Sequence, residues 1–561
     1  MLAKAEESTE KTRSAEPGAP AGQSNSASSV GMCCLTACVI APVVAITAAL
    51  LHLRLGWDDG AITAAFSRTF HETGRFALTP YSVIVEGFSS MLWTLVLAGL
   101  DNFGHTVDAM LAWSKIASFV AFALSLLVFA RLARRFLTGA LRYLAIVLLA
   151  LMITPFREVI NGMEMNLYML LILTLTEVLL SETLRPALKW PSAAVLSCAV
   201  LLTRFETPFL FLFLFAGIFL ATRRKLGVVL LAAFDALFFG LTEIWRHRAF
   251  GQWVPNTIIA KRWVPYSPRG LKEQVVSRAG ALSELVIVLA LPLAVLLVLW
   301  IATRVAAKRQ TVRGETAALS PILLSMTLGA VLLGLAMGKN WGHPGRMYLG
   351  FLPFMILALV ALFGRLLPRT TFALQPFVLT VILLQAFVWT AETKITGFWT
   401  VTYASIEKTG LAADELRRIL HKDTLSAFIP DVGGSSLCCE KLNIMDSALL
   451  ANPVLAREGY AGTAAFLAAN RPDMIEIHSP WGELDGLYAP HGLDGYGEVM
   501  VMGKAIFVRE DLYAELKRMG YVETLASEGV VPCSSKAEAM ARKPEDRAFA
   551  LGQQRCIFIS R

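Results

Sequence analysis

The sequence predicts a polytopic α-helical membrane protein that ends in a separate α/β domain, and three observations predict it. The 561 residues are 55% hydrophobic and only 17% charged, with a mean hydropathy of +0.57, which is too apolar for an ordinary soluble chain. Apolar stretches recur from Cys33 to Ala391, several of them near the ~20 residues that a helix needs to cross a bilayer. From Trp399 onward the pattern changes to short apolar runs separated by charged, helix-like stretches.

Residues 1–31, rich in Ser, Gly and Pro without apolar periodicity, read as a disordered cytoplasmic tail. The expected spans are 33–53, 111–130, 141–155, 165–181, 191–203, 207–222, 226–241, 283–303, 318–337, 346–364 and 373–391, eleven in all, within a membrane domain of residues 32–391. The first span is too long for a signal-peptide core and reads as an anchor. The run Phe88 to Leu100 either crosses or lies along the interface, with Trp93 suited to the headgroup level.

Parity decides between these. With eleven crossings and a cytoplasmic N-terminus, the basic stretches Arg131 to Arg135, Arg223 to Lys225, Arg304 to Arg313 and Arg365 to Arg369 all fall inside, as the positive-inside rule requires. Connections 54–110, 156–164, 204–206, 242–282 and 338–345 then share the outer face with the C-terminal domain, residues 392–561. The expected location is a bacterial inner (cytoplasmic) membrane, with the C-terminal domain periplasmic or otherwise extracytoplasmic.

In that domain Leu425 to Pro430, Met474 to His478, Glu498 to Val508 and Arg555 to Ile559 read as strands. Leu411 to His421, Ala464 to Asn470 and Asp511 to Gly520 read as helices. Asp431-Val-Gly433-Gly434 follows a strand, as a ligand loop would, without a dinucleotide fingerprint. Cys438, Cys439, Cys533 and Cys556 are four thiols in this polar region, an even count that suits a disulfide outside the cytoplasm. Adjacent Cys438 and Cys439 are expected to pair with Cys533 or Cys556 and not with each other. Cys33, Cys34, Cys38 and Cys198 fall in apolar segments as small packing residues. The formal charge of +8 comes with no basic stripe or aromatic platform, so nucleic acid is not an expected partner.

Chemistry-bearing residues concentrate in the outer connections. Asp58 and Asp59 emerge just beyond the first apolar stretch. One reading has Asp capping a helix over Gly60 to His71 that Gly74 ends; the other has a carboxylate held above the hydrocarbon, able to accept a proton from an incoming hydroxyl. Glu86, in Val85-Glu86-Gly87-Phe88, is either an exposed loop residue or a site carboxylate. Glu164, after Asn161-Gly-Met, either complements a helix dipole or holds sugar or metal. Arg204 and Glu206 either fix a tight turn as an ion pair or face substrate. In the loop from Phe250 to Trp263, Asn256, Lys261 and Arg262 with flanking tryptophans suit an anionic headgroup. The loop Lys339 to Arg346 adds His343 as a base and Arg346 as a phosphate ligand. No Cys/His spacing resembles a zinc site.

In this order the motifs Asp58-Asp59-Gly60-Ala61-Ile62, Val85 to Trp93, Asn161-Gly-Met-Glu164, Thr203-Arg204-Phe205-Glu206, Pro255-Asn256-Thr257 with Lys261, and Ile429-Pro-Asp431-Val-Gly433 resemble the polyprenyl-phosphate-dependent glycosyltransferases of the GT-C class. The closest resemblance is to the mycobacterial-type terminal arabinofuranosyltransferases. It implies a GT-C-like catalytic domain with an outer cap, a polyprenyl-phosphate sugar donor, and inverting transfer of a sugar such as arabinofuranose. It further implies a glycan, lipid or protein acceptor in the cell envelope and a general base at Asp58 or Asp59. Lys261, Arg262 and Arg346 would stabilise the departing phosphate. Such donors leave as a phosphate monoester, so a metal is less obligatory than with nucleotide sugars; paired acidic residues would hold Mg²⁺ or Ca²⁺.

Two other functions compete. A transporter or flippase of a lipid-linked glycan would use ionisable residues inside spans, for which Lys115, Arg142, Glu177 and Asp235 are the available groups. A non-catalytic envelope scaffold would leave the Asp58 and Asp59 pair without a role.

Overall fold

The computed structural model describes residues 43, 46–54, 56–263, 270–306, 320–338, 345–366, 403–478, 480–521, 531–532 and 556–557. Among the described residues, five helical stretches are long and apolar enough to cross a membrane: Val107–Phe136, Leu141–Asn161, Pro186–Thr203, Lys225–Phe250 and Leu271–Ile301. The shorter apolar helices Met165–Leu180, Thr207–Ala221, Pro321–Met337 and Leu352–Arg365 pack among them. Their shared core includes Phe129, Tyr168, Met169, Ile172, Leu214, Ile218, Met326 and Phe354. On the outer surface of the bundle Leu127, Val195, Leu212, Leu220 and Leu237 are exposed, an arrangement that water would penalise and lipid tails would not.

Span boundaries move where polar residues find partners inside the protein. The expected span 141–155 is two helices, Ala140–Ala150 and Ile153–Asn161, and residues 156–161, expected as loop, are helical and buried. The expected span 226–241 continues to Phe250 before Gly251, at φ 70°, ends it. The expected span 33–53 falls largely outside the described residues, and 373–391 falls wholly outside.

Phe88 to Leu100 contributes only the ten-residue helix Met91–Leu100, about 15 Å long and too short to cross. Ser90 starts it by accepting the Trp93 N–H. Trp93 does not sit at a headgroup surface. It is buried, and its indole donates to the Gly162 carbonyl at 3.1 Å.

Helices that alternate direction gather polar and charged side chains at the two ends of the bundle. At one end Arg135 pairs with Glu177 at 2.7 Å, and Lys189 donates to the Ser181 carbonyl. At the other end the connections around residues 57, 86, 161, 204, 246, 256 and 346 are tied together by hydrogen bonds and ion pairs.

The α/β domain covers this second end. Its sheet has the order β2-β1-β3-β5-β4, with β1 (Leu425–Ile429) parallel to β2 (Leu442–Asp446) and β3 (Met474–Ile475). β4 (Tyr496–Val501) and β5 (Lys504–Arg509) form an antiparallel hairpin. The expected single strand Glu498 to Val508 is therefore two strands, turned at Met502 (φ 50°) and Gly503 (φ 72°), the left-handed pair that tight hairpins need. Arg555 to Ile559 yields a two-residue strand, Cys556–Ile557, paired with Val531–Pro532. Two helices lie where expected, at Thr463–Asn470 and Glu510–Arg518, and the one expected over Leu411 to His421 begins eight residues earlier, running from Tyr403 to Ile419.

Ile62, Phe66, Leu78, Val85, Phe88 and Met91 of the first connection share one core with Leu416, Leu425, Ala427 and Ile444 of the domain. The cap therefore stands on the first connection, not on the lipid. The expected cysteine pairing is corrected too: Cys438 and Cys439 are bonded to each other. The C-terminus of the short helix Gly433–Cys438 brings the two neighbouring sulfurs together; Cys533 lies outside the described residues.

Candidate functional site

The helix Asp58–Thr73 sets the site. Trp57, not an aspartate, is its N-cap, so Asp58 and Asp59 lie in its first turn, favourably placed for the helix dipole. Gly74, at φ 69°, closes it by donating to the Phe70 carbonyl. On an α-helix consecutive side chains diverge by about 100°, and the two carboxylates have different fates.

Asp58 is buried, and its two oxygens accept the Gly433 and Gly434 N–H groups at 2.7 Å each. It caps the first turn of the Gly433–Cys438 helix, an element distant in sequence. Burial, with Asp431 nearby, pushes its carboxyl well above the usual range, against the pull of those two N–H groups. Asp59 keeps 39% of its side chain exposed and faces Arg346 at 3.5 Å.

Around Asp59 the bundle assembles a charged network. Arg346 bonds Glu164 at 2.9 Å and lies 3.8 Å from Glu158. Arg204 bonds Glu164 at 2.7 Å and Glu206 at 2.8 Å. Burial works against the charge on Glu164, but Arg346 and Arg204 overcome it and hold the carboxyl at about 2. The Glu164 Oε2 atom is buried with no hydrogen-bond partner among the described residues. Lys261, on the turn that follows the short helix Asn256–Ala260, has its pKa lowered by burial and by Arg204 and Arg346, against the attraction of Asp59 and Glu206. Among the described residues it forms no ion pair within 4 Å.

Asp59, Glu164, Arg204, Glu206, Lys261 and Arg346, which lie up to 287 residues apart in sequence, are thus neighbours. The other expected residues are engaged elsewhere. Glu86 is buried in a two-point pair with Arg246 at 2.5 and 3.2 Å, and Arg246 also binds Glu243; burial pushes the Glu86 carboxyl up against the pull of Arg246. Asn256 donates to the Leu449 and Leu450 carbonyls at 3.0 and 2.7 Å, pinning the loop to the cap. Arg262 lies over the Trp263 ring and donates to the Arg457 carbonyl at 2.6 Å. His343 lies outside the described residues.

Sequence reasoning missed Glu158 and Arg246. Their signal was present: Arg157-Glu158 interrupts an apolar run, and Arg246 sits within Trp245-Arg246-His247-Arg248. Both were assigned to loops, so neither was given a partner.

A cleft lined by Glu86, Leu202, Arg204, Phe205, Phe239 and Arg246 opens beside the network. In the cap, β1 leads into Asp431 (φ 51°) and β3 into Glu476 and His478. The chain leaves β1 for β2 on one side and returns to β3 on the other, which makes their carboxyl ends a topological switch point, where open α/β sheets bind ligands. His478 contacts Asp431 at 3.0 Å and Glu476 at 3.1 Å. Burial opposes its charge, but these carboxylates prevail and push it up to about 10.

No family model matches the chain, and no curated protein matches it. Solved structures similar to it include the archaeal oligosaccharyltransferase AglB from Archaeoglobus fulgidus, in complex with an inhibitory peptide and a dolichol-phosphate. That chain is 12% identical, with 85% of this chain and 74% of that one covered at a TM-score of 0.45. ArnT from Cupriavidus metallidurans bound to undecaprenyl phosphate is another, 16% identical, with 78% and 79% covered at a TM-score of 0.41.

Proposed function

We propose that the chain is an inverting membrane glycosyltransferase. It moves a sugar, a pentofuranose such as arabinofuranose, from a polyprenyl-phosphate donor to a glycan, lipid or protein acceptor of the cell envelope. The reaction takes place at the outer face of the bacterial inner membrane, under a periplasmic cap. The observation that carries this reading is the accessible Asp59 carboxylate beside Arg346 and within electrostatic reach of Lys261, at the bundle end that the cap covers.

Asp59 is the base. It takes the proton of the acceptor hydroxyl as that oxygen forms its bond to the anomeric carbon. The bond from that carbon to the lipid phosphate breaks on the opposite side, and its electron pair leaves with the phosphate monoester. Lys261 meets the charge that builds there, with Arg346 and Arg204 behind it; fixed cations matter most where charge develops. Glu164, bonded to both Arg204 and Arg346, holds the two guanidiniums in place. The apolar wall of Leu202, Phe205 and Phe239 suits the first prenyl units. Asp58, held by Gly433 and Gly434, positions the cap and leaves catalysis to its neighbour. The carboxylates around Asp59 are already engaged by Arg204 and Arg346, and among the described residues no group of three candidate metal ligands gathers there, so the network does not fit Mg²⁺ or Ca²⁺ and no step above depends on one.

Ion-conducting or flipping chemistry has less to stand on. Glu177 is paired with Arg135 near the helix ends, and Asp235 accepts from Ser197 at 2.6 Å. Purified protein in liposomes with radiolabelled polyprenyl-phosphate arabinose tests the reading: transfer releases free polyprenyl phosphate, and a flippase or scaffold releases none.

A further inference from the structure

We propose that His71, Asp101 and His105 form a binding site for a zinc-class transition-metal cation, distinct from the charged network around Asp59. The three residues come from three elements: the last turn of the Asp58–Thr73 helix, the 3-10 turn Asp101–Phe103, and the segment leading into the Val107–Phe136 helix. One ligand atom from each lies within 4.8 Å of the other two.

The carboxylate makes the case. Asp101 is wholly buried, and its Oδ1 has no hydrogen-bond partner among the described residues. Its Oδ2 has His105 Nδ1 at 3.3 Å. A buried carboxylate with one oxygen unmatched is costly in a folded protein, and a cation between the carboxylate and the imidazoles would remove that cost. Tetrahedral zinc with bonds of about 2.0–2.1 Å places its ligand atoms about 3.3 Å apart, which is the separation of the Asp101 and His105 atoms. The ring centroids of His71 and His105 are 5.7 Å apart, so both imidazoles border the same space. His105 is 65% exposed along its side chain and can swing on the order of 1 Å to complete the set.

Ligand chemistry selects the class of cation. Two imidazoles and one carboxylate suit zinc and its transition-metal neighbours, whereas magnesium and calcium prefer oxygen ligands alone. Three protein ligands beside an exposed imidazole leave a fourth position for water. A bound cation would tie the C-terminal end of the Asp59 helix to the start of a membrane-crossing helix, fixing the orientation of the helix that carries Asp59.

The experiment uses the full chain in detergent, stripped of metal by chelator and freed of any affinity tag. Titration with zinc chloride is expected to show one equivalent per chain and a raised Tm. His71→Ala and His105→Ala should each weaken binding by more than about tenfold and abolish the Tm increase. Cobalt substitution of the unmutated protein gives a second reading that needs no variant: an intense visible spectrum reports a tetrahedral site with imidazole ligands. Absence of zinc uptake, equal zinc binding by both variants and the parent, or only the pale spectrum of hydrated cobalt would each overturn the proposal.

Discussion

Asp58 accepts the Gly433 N–H at 2.7 Å across 375 residues of chain. That bond joins the start of the first outer helix to the Asp431-to-Gly434 turn of the cap, and the Gly434 N–H fills the other carboxylate oxygen. Removing the carboxyl would leave two buried N–H groups without a partner, at a cost of about 1–3 kcal/mol each. Asp58→Ala should lower the Tm and expose the segment between the bundle and the cap to limited proteolysis, with any loss of transfer following from the looser cap. Asp59→Asn should abolish transfer at unchanged Tm. If Asp59→Asn retained full transfer, the assignment of the base would fail.

Arg346 and Glu164 are both buried and bonded at 2.9 Å. Removing one partner of such a pair leaves the other charge stranded, at a cost of about 3–5 kcal/mol. Arg346→Gln should therefore destabilise the protein as well as inactivate it. Arg346→Lys should keep the charge and much of the Tm, yet lose activity, because an ammonium cannot reach Asp59, Glu158 and Glu164 as a planar guanidinium does. Thermal melts and transfer assays on the two variants separate charge from geometry.

Lys261 forms no ion pair among the described residues, so its removal strands no carboxylate. Lys261→Ala should leave the Tm near that of the parent while kcat/KM for the lipid donor falls about 100-fold. An unchanged dependence of rate on donor concentration would remove Lys261 from the phosphate site.

His478 supplies a pH signature. Its folded pKa is about 10, raised from an ordinary 6.5 by Glu476 and Asp431 against burial. The native state therefore holds a proton that the unfolded chain releases between those values, so stability falls as pH rises through that window. The contribution is fully present below about pH 6.5 and lost above about pH 10. The Tm should decline from pH 7 to 10 in the parent protein, and His478→Gln should flatten that part of the curve.

Gly60 has no room for a side chain. A Cβ there would press into the Asn161 carbonyl, in the connection that also presents Glu164. Gly60→Ala should force the Asp59 helix away from that connection and reduce transfer more than it reduces Tm, since the network's spacing depends on the close approach.

The bundle, the cap and most of the cap's helices were legible in the sequence, because apolar periodicity reports which face of an element avoids water. Helix ends were less legible. Residues 156–161 and 242–250 carry charges such as Glu158 and Arg246 that signal a loop when read along the chain, yet they stay helical because distant partners satisfy those charges. The hairpin at Met502-Gly503 was hidden by a nearly continuous β-like run, and the Cys438–Cys439 bond ran against the expectation that neighbours do not pair.

By itself the sequence determined that the chain is membrane-embedded, that its polar and charged residues collect in alternate connections, and that an aspartate pair follows the first apolar stretch. Hydropathy and loop charge are additive along a chain, so they survive without coordinates. Only the tertiary structure decided which aspartate is a latch and which is available. It likewise sent Glu86, Asn256 and Arg262 to internal partners and brought Asp59, Glu164, Arg204, Lys261 and Arg346 together. Those outcomes depend on which distant group meets each charge when it leaves water, and sequence spacing carries no record of that.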